Sequence, residues 1–168
     1  MIALNDPETE VPIAIMDGTL ISAIRTGAVT GVCAKYMAPS RSKTVGLFGA
    51  GPQCKTQLMA TEPIIRGAEI KKGVYVAHLG NNEVDEELIL RADKVVIDDW
   101  ETDKHRMGDT MACMFRDGKI DDSRIDASVS DLVAGRKSGR DNGDQLTYTC
   151  NVGLGLYDVA IAARVYQY

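Results

Sequence analysis

One stretch of sequence, residues 44–58, constrains the fold of this chain more than any other. It reads TVGLFGAGPQCKTQL, so a mostly apolar run leads into Gly49, Ala50 and Gly51, and Pro52 follows. A buried strand, a tight glycine turn and a helix N-terminus give this pattern when they follow one another. Glycines let the backbone bend sharply and approach a ligand, and the first helical turn offers unpaired N–H groups to an anion. The stretch therefore predicts a turn that fits a diphosphate.

The match of this stretch to the dinucleotide-binding fingerprint is incomplete. Cys54 occupies the third fingerprint position, where glycine or alanine is usual. Pro52 is compatible with the first helical position, because the N–H that it lacks would have had no partner there. From these residues alone two interpretations stay open, a diphosphate-binding loop and an ordinary glycine turn between a strand and a helix.

Length, charge and cysteine spacing limit the class of protein. At 168 residues the chain is long enough for one ordinary domain or for two small ones that share elements. A net charge of −5 argues against a nucleic-acid-binding surface. The four cysteines have no paired spacing, which predicts reduced core side chains and neither a metal site nor a disulfide framework. They are Cys33, Cys54, Cys113 and Cys150.

The N-terminal residues and the longest apolar stretch bear on localisation. Met1 is soon followed by the acidic, polar run LNDPETE, which is not typical of a signal sequence. Arg25 and Lys35 interrupt the longest apolar stretch, so it is a poor candidate for a membrane span. We therefore expect a cytoplasmic protein with no membrane partner.

Hydrophobic periodicity and turn residues predict the remaining elements. Strands are expected at residues 12–16, 44–48, 73–79, 94–97 and 145–152, and helices at 19–38, 52–60, 82–92, 100–116, 128–134 and 156–166. The last strand alternates apolar and polar residues, so one of its faces is expected to be dry. His105 lies among charged neighbours, which favours a surface histidine over a catalytic one.

The helix expected at 19–38 is apolar around most of its circumference, which predicts that it is buried. Arg25 lies within its apolar surface and therefore needs an anionic partner or access to water. Two interpretations are open: an internal ion pair, for which Asp17 is a candidate, or a clamp for a substrate carboxylate, which arginine binds in bidentate fashion. Composition alone favours the ion pair, because buried charges are usually paired.

Several segments together resemble the ornithine cyclodeaminase and mu-crystallin family. They are AIMDGTLISAIRTGAVTG, the stretch TVGLFGAGPQCKTQL, GVYVAHLGNNEVDEELILRADKVVIDD, GDTMACMFRDGKI, DLVAGRKSGR and NVGLGLYDVAIAARVY. They follow the family's order and cover most of the chain. The resemblance implies an α/β fold in two parts: a truncated Rossmann-type parallel sheet at residues 41–140, and part of a dimerisation and substrate domain built from residues 1–40 and 141–168.

The resemblance also implies an activity and its partners. Family members are NAD(P)-dependent enzymes, so the expected cofactor is NAD or NADP and the expected substrate is an amino acid or a cyclic imine. An amino-acid dehydrogenase or imine reductase is the first hypothesis. An ornithine cyclodeaminase-type lyase is an alternative, and so is a non-catalytic family member that serves as a dimerisation or small-molecule-binding module. A homodimer is expected in each of these cases.

The family's motifs carry candidate roles onto residues of this chain. Arg25 matches the arginine that holds the substrate carboxylate beside the cofactor, so the resemblance reverses the preference for an ion pair. No metal ligand is implied. The other matches are Gly49, Gly51, Pro52 and Gln53 in the diphosphate loop, Gly80, Asn81 and Asn82 beside the nicotinamide and substrate, and Asn151 and Val152 as late cofactor and substrate contacts.

The chain departs from the family pattern in three ways. Asn82 stands where cyclodeaminases have an acid that shuttles a proton, which an amide cannot do near neutral pH, so ammonia release is less expected than hydride transfer. The chain begins late relative to the family, and it skips a segment between Ala60 and Thr61. The first acid after the next strand, Glu83, belongs by resemblance to the nicotinamide side, so no ribose-binding acid is expected.

Overall fold

The computed structural model describes residues 1–47, 63, 65–151 and 153–167. The chain forms two compact units: Met1–Val29 with Gly153–Tyr168, and Thr30–Val152. The predicted boundaries, near residues 40 and 141, lie inside the larger unit, and the roles assigned to the two parts stay predictions. The glycine-containing loop and the helix expected at 52–60 lie outside the described residues.

The described residues form six strands and six α-helices in the order of an α/β protein. The strands are β1 (Ile2–Asn5), β2 (Pro12–Met16), β3 (Tyr75–His78), β4 (Lys94–Ile97), β5 (Ala127–Ser128) and β6 (Thr147–Cys150). The helices are α1 (Thr19–Met37), α2 (Glu86–Arg91), α3 (Trp100–Asp103), α4 (Thr110–Arg116), α5 (Val129–Val133) and α6 (Gly155–Tyr166), with short 3₁₀ helices at Gly67–Glu69 and Asp122–Arg124.

The smaller unit is organised around an antiparallel ribbon of β1 and β2, in which Ile2 is opposite Met16. The turn between the strands is closed by Asp6, whose carboxylate accepts the backbone N–H of Thr9 at 2.8 Å. Helix α6 packs against β1. At the start of α1, the Asp17 carboxylate accepts the N–H of Thr19 at 3.0 Å and its hydroxyl at 2.7 Å, so Asp17 stabilises the helix N-terminus.

The larger unit contains a four-stranded parallel sheet in the order β3-β6-β4-β5. Strand β6 lies between two neighbours, and all four of its residues are buried. The face predicted to be polar and wet carries Thr147, whose hydroxyl donates to the Met37 carbonyl of α1 at 2.8 Å. The face expected to be dry is buried, with Leu146, Tyr148 and Cys150 in the core. The other face is buried as well, against expectation, because the C-terminal end of α1 meets it and accepts from the Thr147 hydroxyl.

The apolar core lies on the other face of this sheet, beneath α2 and α4. Burying one aliphatic side chain of this kind stabilises a fold by roughly 1.5–3 kcal/mol, so this cluster is the main source of the unit's stability. Its buried members are Val76, Val84, Leu88, Ile89, Ala92, Val95, Ile97, Met111, Met114, Ile120, Leu146, Tyr148 and Cys150.

Two further predictions about elements are wrong. Residues 44–47 have no strand conformation, and Val45 and Leu47 are 82% and 83% exposed. The helix expected at 100–116 is two helices: α3 ends at Asp103, and the chain turns at Gly108, where φ is +83°, before Asp109 caps α4 by accepting the N–H of Ala112 at 3.0 Å. Glycine adopts a positive φ easily, which allows this turn directly before the cap.

Helix α1 is also less buried than its composition predicts. Cys33 and Met37 are its buried residues, both within the larger unit. Leu20 and Ile24, within the smaller unit, are 68% and 58% exposed. None of the helices in the described part of the chain combines the length and apolarity needed to cross a bilayer.

Candidate functional site

The candidate site lies at the carboxyl edge of the parallel sheet in the larger unit. Strands β3, β6 and β4 run in the same direction, so their last residues, His78, Cys150 and Ile97, meet at one edge. Open parallel sheets bind their ligands beyond this edge. Polar side chains at or just after the strand ends are therefore the candidates for binding and chemistry.

His78 is the centre of a buried hydrogen-bond network at this edge. Its Nε2 lies 2.7 Å from Oε2 of Glu83, and its Nδ1 lies 2.8 Å from the hydroxyl of Tyr148. An ionised carboxylate only accepts, so Nε2 carries the proton and donates to Glu83, while Nδ1 accepts from Tyr148. The hydrogen bond from His78 holds the pKa of Glu83 below its ordinary value.

Cys150 and Asp109 complete this network. The Cys150 Sγ lies 3.7 Å from Nδ1 of His78 and 3.7 Å from Oδ2 of Asp109. Burial raises the pKa of Asp109, and burial followed by the negative charge of Asp109 raises the pKa of Cys150 well above the ordinary thiol value. The free thiol is therefore neutral near pH 7 and is not an activated nucleophile.

Two more carboxyl groups, Asp98 and Asp103, are buried on this side of the unit, with 6% and 5% of their surfaces exposed. Burial raises the pKa of Asp103 to about 6, an effect opposed by the charge of Arg106, whose Nε is 3.6 Å from Oδ1 of Asp103. The other oxygen, Oδ2, is buried without a hydrogen-bond partner among the described residues. Negative charge thus accumulates at this edge.

The segment predicted to lie beside the nicotinamide, Gly80 to Asn82, follows β3 directly. A Cβ added to Gly80 would collide with the carboxylate of Glu83, so glycine is needed for Glu83 to reach His78. The Asn81 carbonyl accepts the N–H of Thr110 at 2.9 Å, and the Asn82 Oδ1 lies 3.3 Å from the Thr110 hydroxyl. Asn82 and Thr110 line a cavity of about 350 Å³.

Asn151, predicted as a cofactor contact, is 3% exposed and faces the interior of the larger unit. Its Nδ2 donates to the Thr149 hydroxyl at 3.2 Å and lies 3.5 Å from the Sγ of Cys33. Its backbone N–H donates to the His78 carbonyl at 2.9 Å. Burial raises the pKa of Cys33 to about 11, so this thiol is neutral too. The adjacent Val152 lies outside the described residues, as do Gly49, Gly51, Pro52 and Gln53.

Arg25 lies in the smaller unit, where it forms an ion pair that the sequence did not identify. Its Nε is 3.2 Å from Oδ1 of Asp158 on α6, and its Nη2 is 3.3 Å from the Ser22 hydroxyl. Asp17, the partner considered from sequence, binds Thr19 instead. A Cβ on Gly153, where φ is +93°, would come within 3.0 Å of the guanidinium carbon.

A cavity of about 550 Å³ lies in the smaller unit. Its lining includes Ser22 and Asp158, the two residues that form hydrogen bonds with the Arg25 guanidinium. The start of β1 and the first turns of α1 and α6 form the rest of its wall. The side chains of Arg25 and Asp158 are 14% and 18% exposed, so the pair is mostly shielded from water.

Sequence reasoning missed the His78, Asp109 and Cys150 cluster. His78 and Cys150 stand at the ends of strands that were predicted, so the rule that parallel strands end at one edge could have brought them together. Asp109 is far from both in the sequence, and its position as a helix cap was hidden by the helix predicted across it.

Comparisons with known proteins agree on one family. The model of the ornithine cyclodeaminase/mu-crystallin family matches residues 1–75 and 60–168. The alanine dehydrogenase of Archaeoglobus fulgidus is 26% identical over 226 residues, a match that covers 99% of this chain and 69% of that protein. The match is longer than the 168 residues of this chain, so the relative has internal residues without a counterpart here.

Solved structures resemble 98% of the chain. The Δ1-pyrroline-2-carboxylate reductase of Thermococcus litoralis, in complex with NADH and L-proline, is 29% identical with a TM-score of 0.87 and matches 98% of this chain and 70% of its own. An archaeal alanine dehydrogenase dimer with bound NAD is 26% identical with a TM-score of 0.86, and the match covers 98% of this chain and 69% of that chain.

The fold is thus an α/β fold with a Rossmann-type parallel sheet, as predicted. The family model matches along the whole chain, which confirms the resemblance found in the residues: the protein belongs to the ornithine cyclodeaminase/mu-crystallin family.

Proposed function

We propose that this chain is an NAD(P)-linked oxidoreductase that acts on an amino acid or a cyclic imine carboxylate. The observation that carries the proposal is the likeness of 98% of the chain to a reductase whose structure contains NADH and L-proline. The parallel sheet with a polar carboxyl edge supports it, because dinucleotides bind beyond such edges. The nicotinamide, when bound, supplies or accepts the hydride.

The residues after β3 fit the nicotinamide end of the cofactor. The Asn82 side chain carries both donors and an acceptor, as recognition of a carboxamide requires, and it lines the cavity next to Thr110. We assign Gly80 and Asn81 to the same contact. Family resemblance alone supports roles for Gly49, Gly51, Pro52 and Gln53 at the diphosphate, and for Asn151 and Val152 as late contacts.

We assign Arg25 to the substrate carboxylate. Asp158 at Nε and the Ser22 hydroxyl at Nη2 fix the plane of the guanidinium, and a planar fork held in place binds a carboxylate with two parallel hydrogen bonds. Asn82 cannot take up and return a proton, so it orients a ligand without acting as an acid or base. This favours hydride transfer over ammonia-releasing cyclisation.

The proposal is tested by titrating the full chain with NADH and with NADPH and measuring the heat of binding by calorimetry. We expect saturable binding of at least one of them, and its oxidation when a cyclic imine carboxylate such as Δ1-pyrroline-2-carboxylate is added. An absence of heat from either dinucleotide up to millimolar concentration would contradict the proposal.

A homodimer is the assembly that we propose. The smaller unit exposes large apolar side chains on three elements: Ile13 and Ile15 on β2, Leu20 and Ile24 on α1, and Leu156 and Val159 on α6. Concentrated apolar exposure of this kind is typical of a protein interface. The archaeal alanine dehydrogenase that the chain resembles is described as a dimer.

We also propose that the protein works in the cytoplasm. Cys33, Cys113 and Cys150 are free thiols. Free cysteines are typical of a reducing compartment, where disulfides rarely persist. A fusion of the chain to a fluorescent protein, imaged in its host cell, would contradict this assignment if the signal followed the cell envelope.

A non-catalytic family member is the second candidate function. It is favoured by the internal residues that the alanine dehydrogenase has and this chain lacks. Dinucleotide binding without turnover of any amino acid or imine carboxylate would support this candidate against the oxidoreductase.

A further inference from the structure

Three ligand-type atoms from distant parts of the larger unit lie around one point at the carboxyl edge of the sheet. They belong to His78, Asp109 and Cys150, all buried, and all lie within 4.8 Å of one another. In a tetrahedral zinc site, ligand atoms bound at the usual lengths are about 3.4–3.6 Å apart. The two measured separations of 3.7 Å from the Cys150 Sγ are close to that value.

The orientation of His78 is that of a metal ligand. Glu83 accepts from Nε2 at 2.7 Å, which leaves the lone pair of Nδ1 directed toward Cys150 and the Tyr148 hydroxyl. Histidines that bind metals usually donate their second nitrogen to a carboxylate in this way, which fixes the tautomer and raises the basicity of the ligand nitrogen. The missing Cβ at Gly80 leaves room for the Glu83 carboxylate to occupy this position.

Asp109 is oriented for a single contact. Its Oδ1 accepts the N–H of Ala112 at the start of α4, and this leaves Oδ2 facing the Cys150 Sγ. The helix cap therefore presents one carboxylate oxygen to the cluster. The surroundings are acidic, since Asp98 and Asp103 are buried on the same side and the Glu83 carboxylate accepts from Nε2 of His78. A divalent cation would offset this concentration of buried negative charge.

We propose that His78 Nδ1, Cys150 Sγ and Asp109 Oδ2 bind one zinc ion that joins β3, β6 and α4. Nitrogen, thiolate sulfur and carboxylate oxygen together match the preferences of zinc more closely than those of magnesium or calcium. Binding releases the thiol proton of Cys150 and breaks the hydrogen bond from Tyr148 to Nδ1. All three ligand residues are buried, and they leave the fourth tetrahedral position of the zinc ion to a water molecule.

Cobalt(II) is the probe that tests this proposal, because a cobalt–thiolate bond gives a charge-transfer absorption in the near ultraviolet. The full chain, treated with a chelator and dialysed, is titrated with Co²⁺ and then with Zn²⁺. We expect the charge-transfer absorption to appear with one equivalent of Co²⁺ and to disappear as Zn²⁺ displaces it. Zinc should also raise the melting temperature, because it binds the folded state.

Matched variants decide whether the three residues are the ligands. Cys150→Ser should abolish the charge-transfer absorption, whereas Cys113→Ser, at a half-buried thiol outside the cluster, should keep it. Asp109→Asn retains a side chain that caps helices and loses the anionic ligand, so it should fold as the parent does and bind Co²⁺ at least about 10-fold more weakly.

Two results would overturn the zinc site. The first is the absence of a charge-transfer absorption in the parent chain up to millimolar Co²⁺. The second is an absorption that Asp109→Asn leaves at full affinity, which would place the metal elsewhere. Should Cys150→Ser not fold, the parent chain and Asp109→Asn still give both results.

Discussion

At the scale of single residues, Arg25 shows how a partner defines a role. The guanidinium is held by Asp158 and Ser22 inside the smaller unit. Composition had favoured an ion pair and family resemblance a substrate clamp, and the two are compatible when the internal carboxylate positions the guanidinium for an external one. The substrate-binding role of Arg25 can be tested by substitution with lysine, because lysine keeps the positive charge and loses the planar fork.

Arg25→Lys should weaken binding of the carboxylate substrate. Hydrogen bonds to charged groups contribute about 1.5–3 kcal/mol each, so loss of one bidentate contact should raise KM by about 10- to 100-fold. Steady-state kinetics with saturating dinucleotide measure this change. Arg41→Lys, at an exposed arginine in an ion pair with Asp144, is the control and should leave KM unchanged. An equal KM in both variants would remove Arg25 from the substrate site.

The raised pKa of Asp103 predicts how the free energy of unfolding changes with pH. Burial raises its pKa from 3.8 to about 6, so the folded protein binds more protons than the unfolded chain between these two values. The free energy of unfolding therefore falls as pH rises through this window and stays lower above it. Asp103→Asn should remove that loss and be more stable than the parent above pH 6, by up to about 3 kcal/mol.

Urea unfolding of Asp103→Asn and the parent chain at pH 4, 6 and 8 measures this difference. The gap between them should widen most from pH 4 to pH 6 and level off by pH 8. Glu101→Gln, at an exposed carboxyl group on the same helix, should follow the parent at every pH. A gap that does not change with pH would mean that Asp103 ionises in the folded protein as it does in the unfolded chain.

At the scale of elements, Arg140 joins segments that meet at the amino-terminal edge of the sheet. Its guanidinium donates to the carbonyls of Met37 at 2.6 Å and Gln145 at 2.7 Å, and to that of Val74 at 3.2 Å. It also donates to the Thr147 hydroxyl at 2.8 Å. One side chain thus connects the end of α1 with the starts of β3 and β6.

Arg140→Lys should destabilise the larger unit, because an ammonium group cannot reach acceptors spread around a planar fork. Carbonyl groups left without donors cost about 1–3 kcal/mol each when buried, so we expect a loss of about 2–4 kcal/mol, seen as a lower urea midpoint. Arg136→Lys, at an arginine 59% exposed and paired with Asp131, is the matched control and should shift the midpoint little. Equal midpoints for the two variants would contradict the bridging role.

The elements also show what the sequence could and could not predict. Strand β4, with its uninterrupted apolar run, and helix α5, with its capping residue Ser128, were located correctly, since these signals are local. The short β1 was missed, and so was the burial of the polar face of β6, because burial of Thr147 depends on the α1 carbonyl that it meets. The cluster of His78 and Cys150 depends on the pairing register of β3 with β6, which no local pattern contains.

At the scale of the whole molecule, the smaller unit exposes large apolar side chains that a partner could cover. Ile15 and Leu20 are exposed by 67% and 68%, and Leu156 by 70%. Scattered apolar residues are normal on a protein surface, whereas a concentration on β2, α1 and α6 costs free energy in water unless a partner removes it. A second copy of the chain is the partner that needs no other component.

Ile24→Glu tests this assembly, because a charge placed within an apolar interface costs more free energy than the interface side chain contributed. We expect the parent chain to sediment as a dimer and Ile24→Glu to dissociate at concentrations where the parent does not. Leu90→Glu replaces an apolar residue of similar exposure, 55% against 58%, on the larger unit, and should stay dimeric. A parent chain that sediments as a well-folded monomer would refute the homodimer, and dissociation of both variants would place the interface outside the smaller unit.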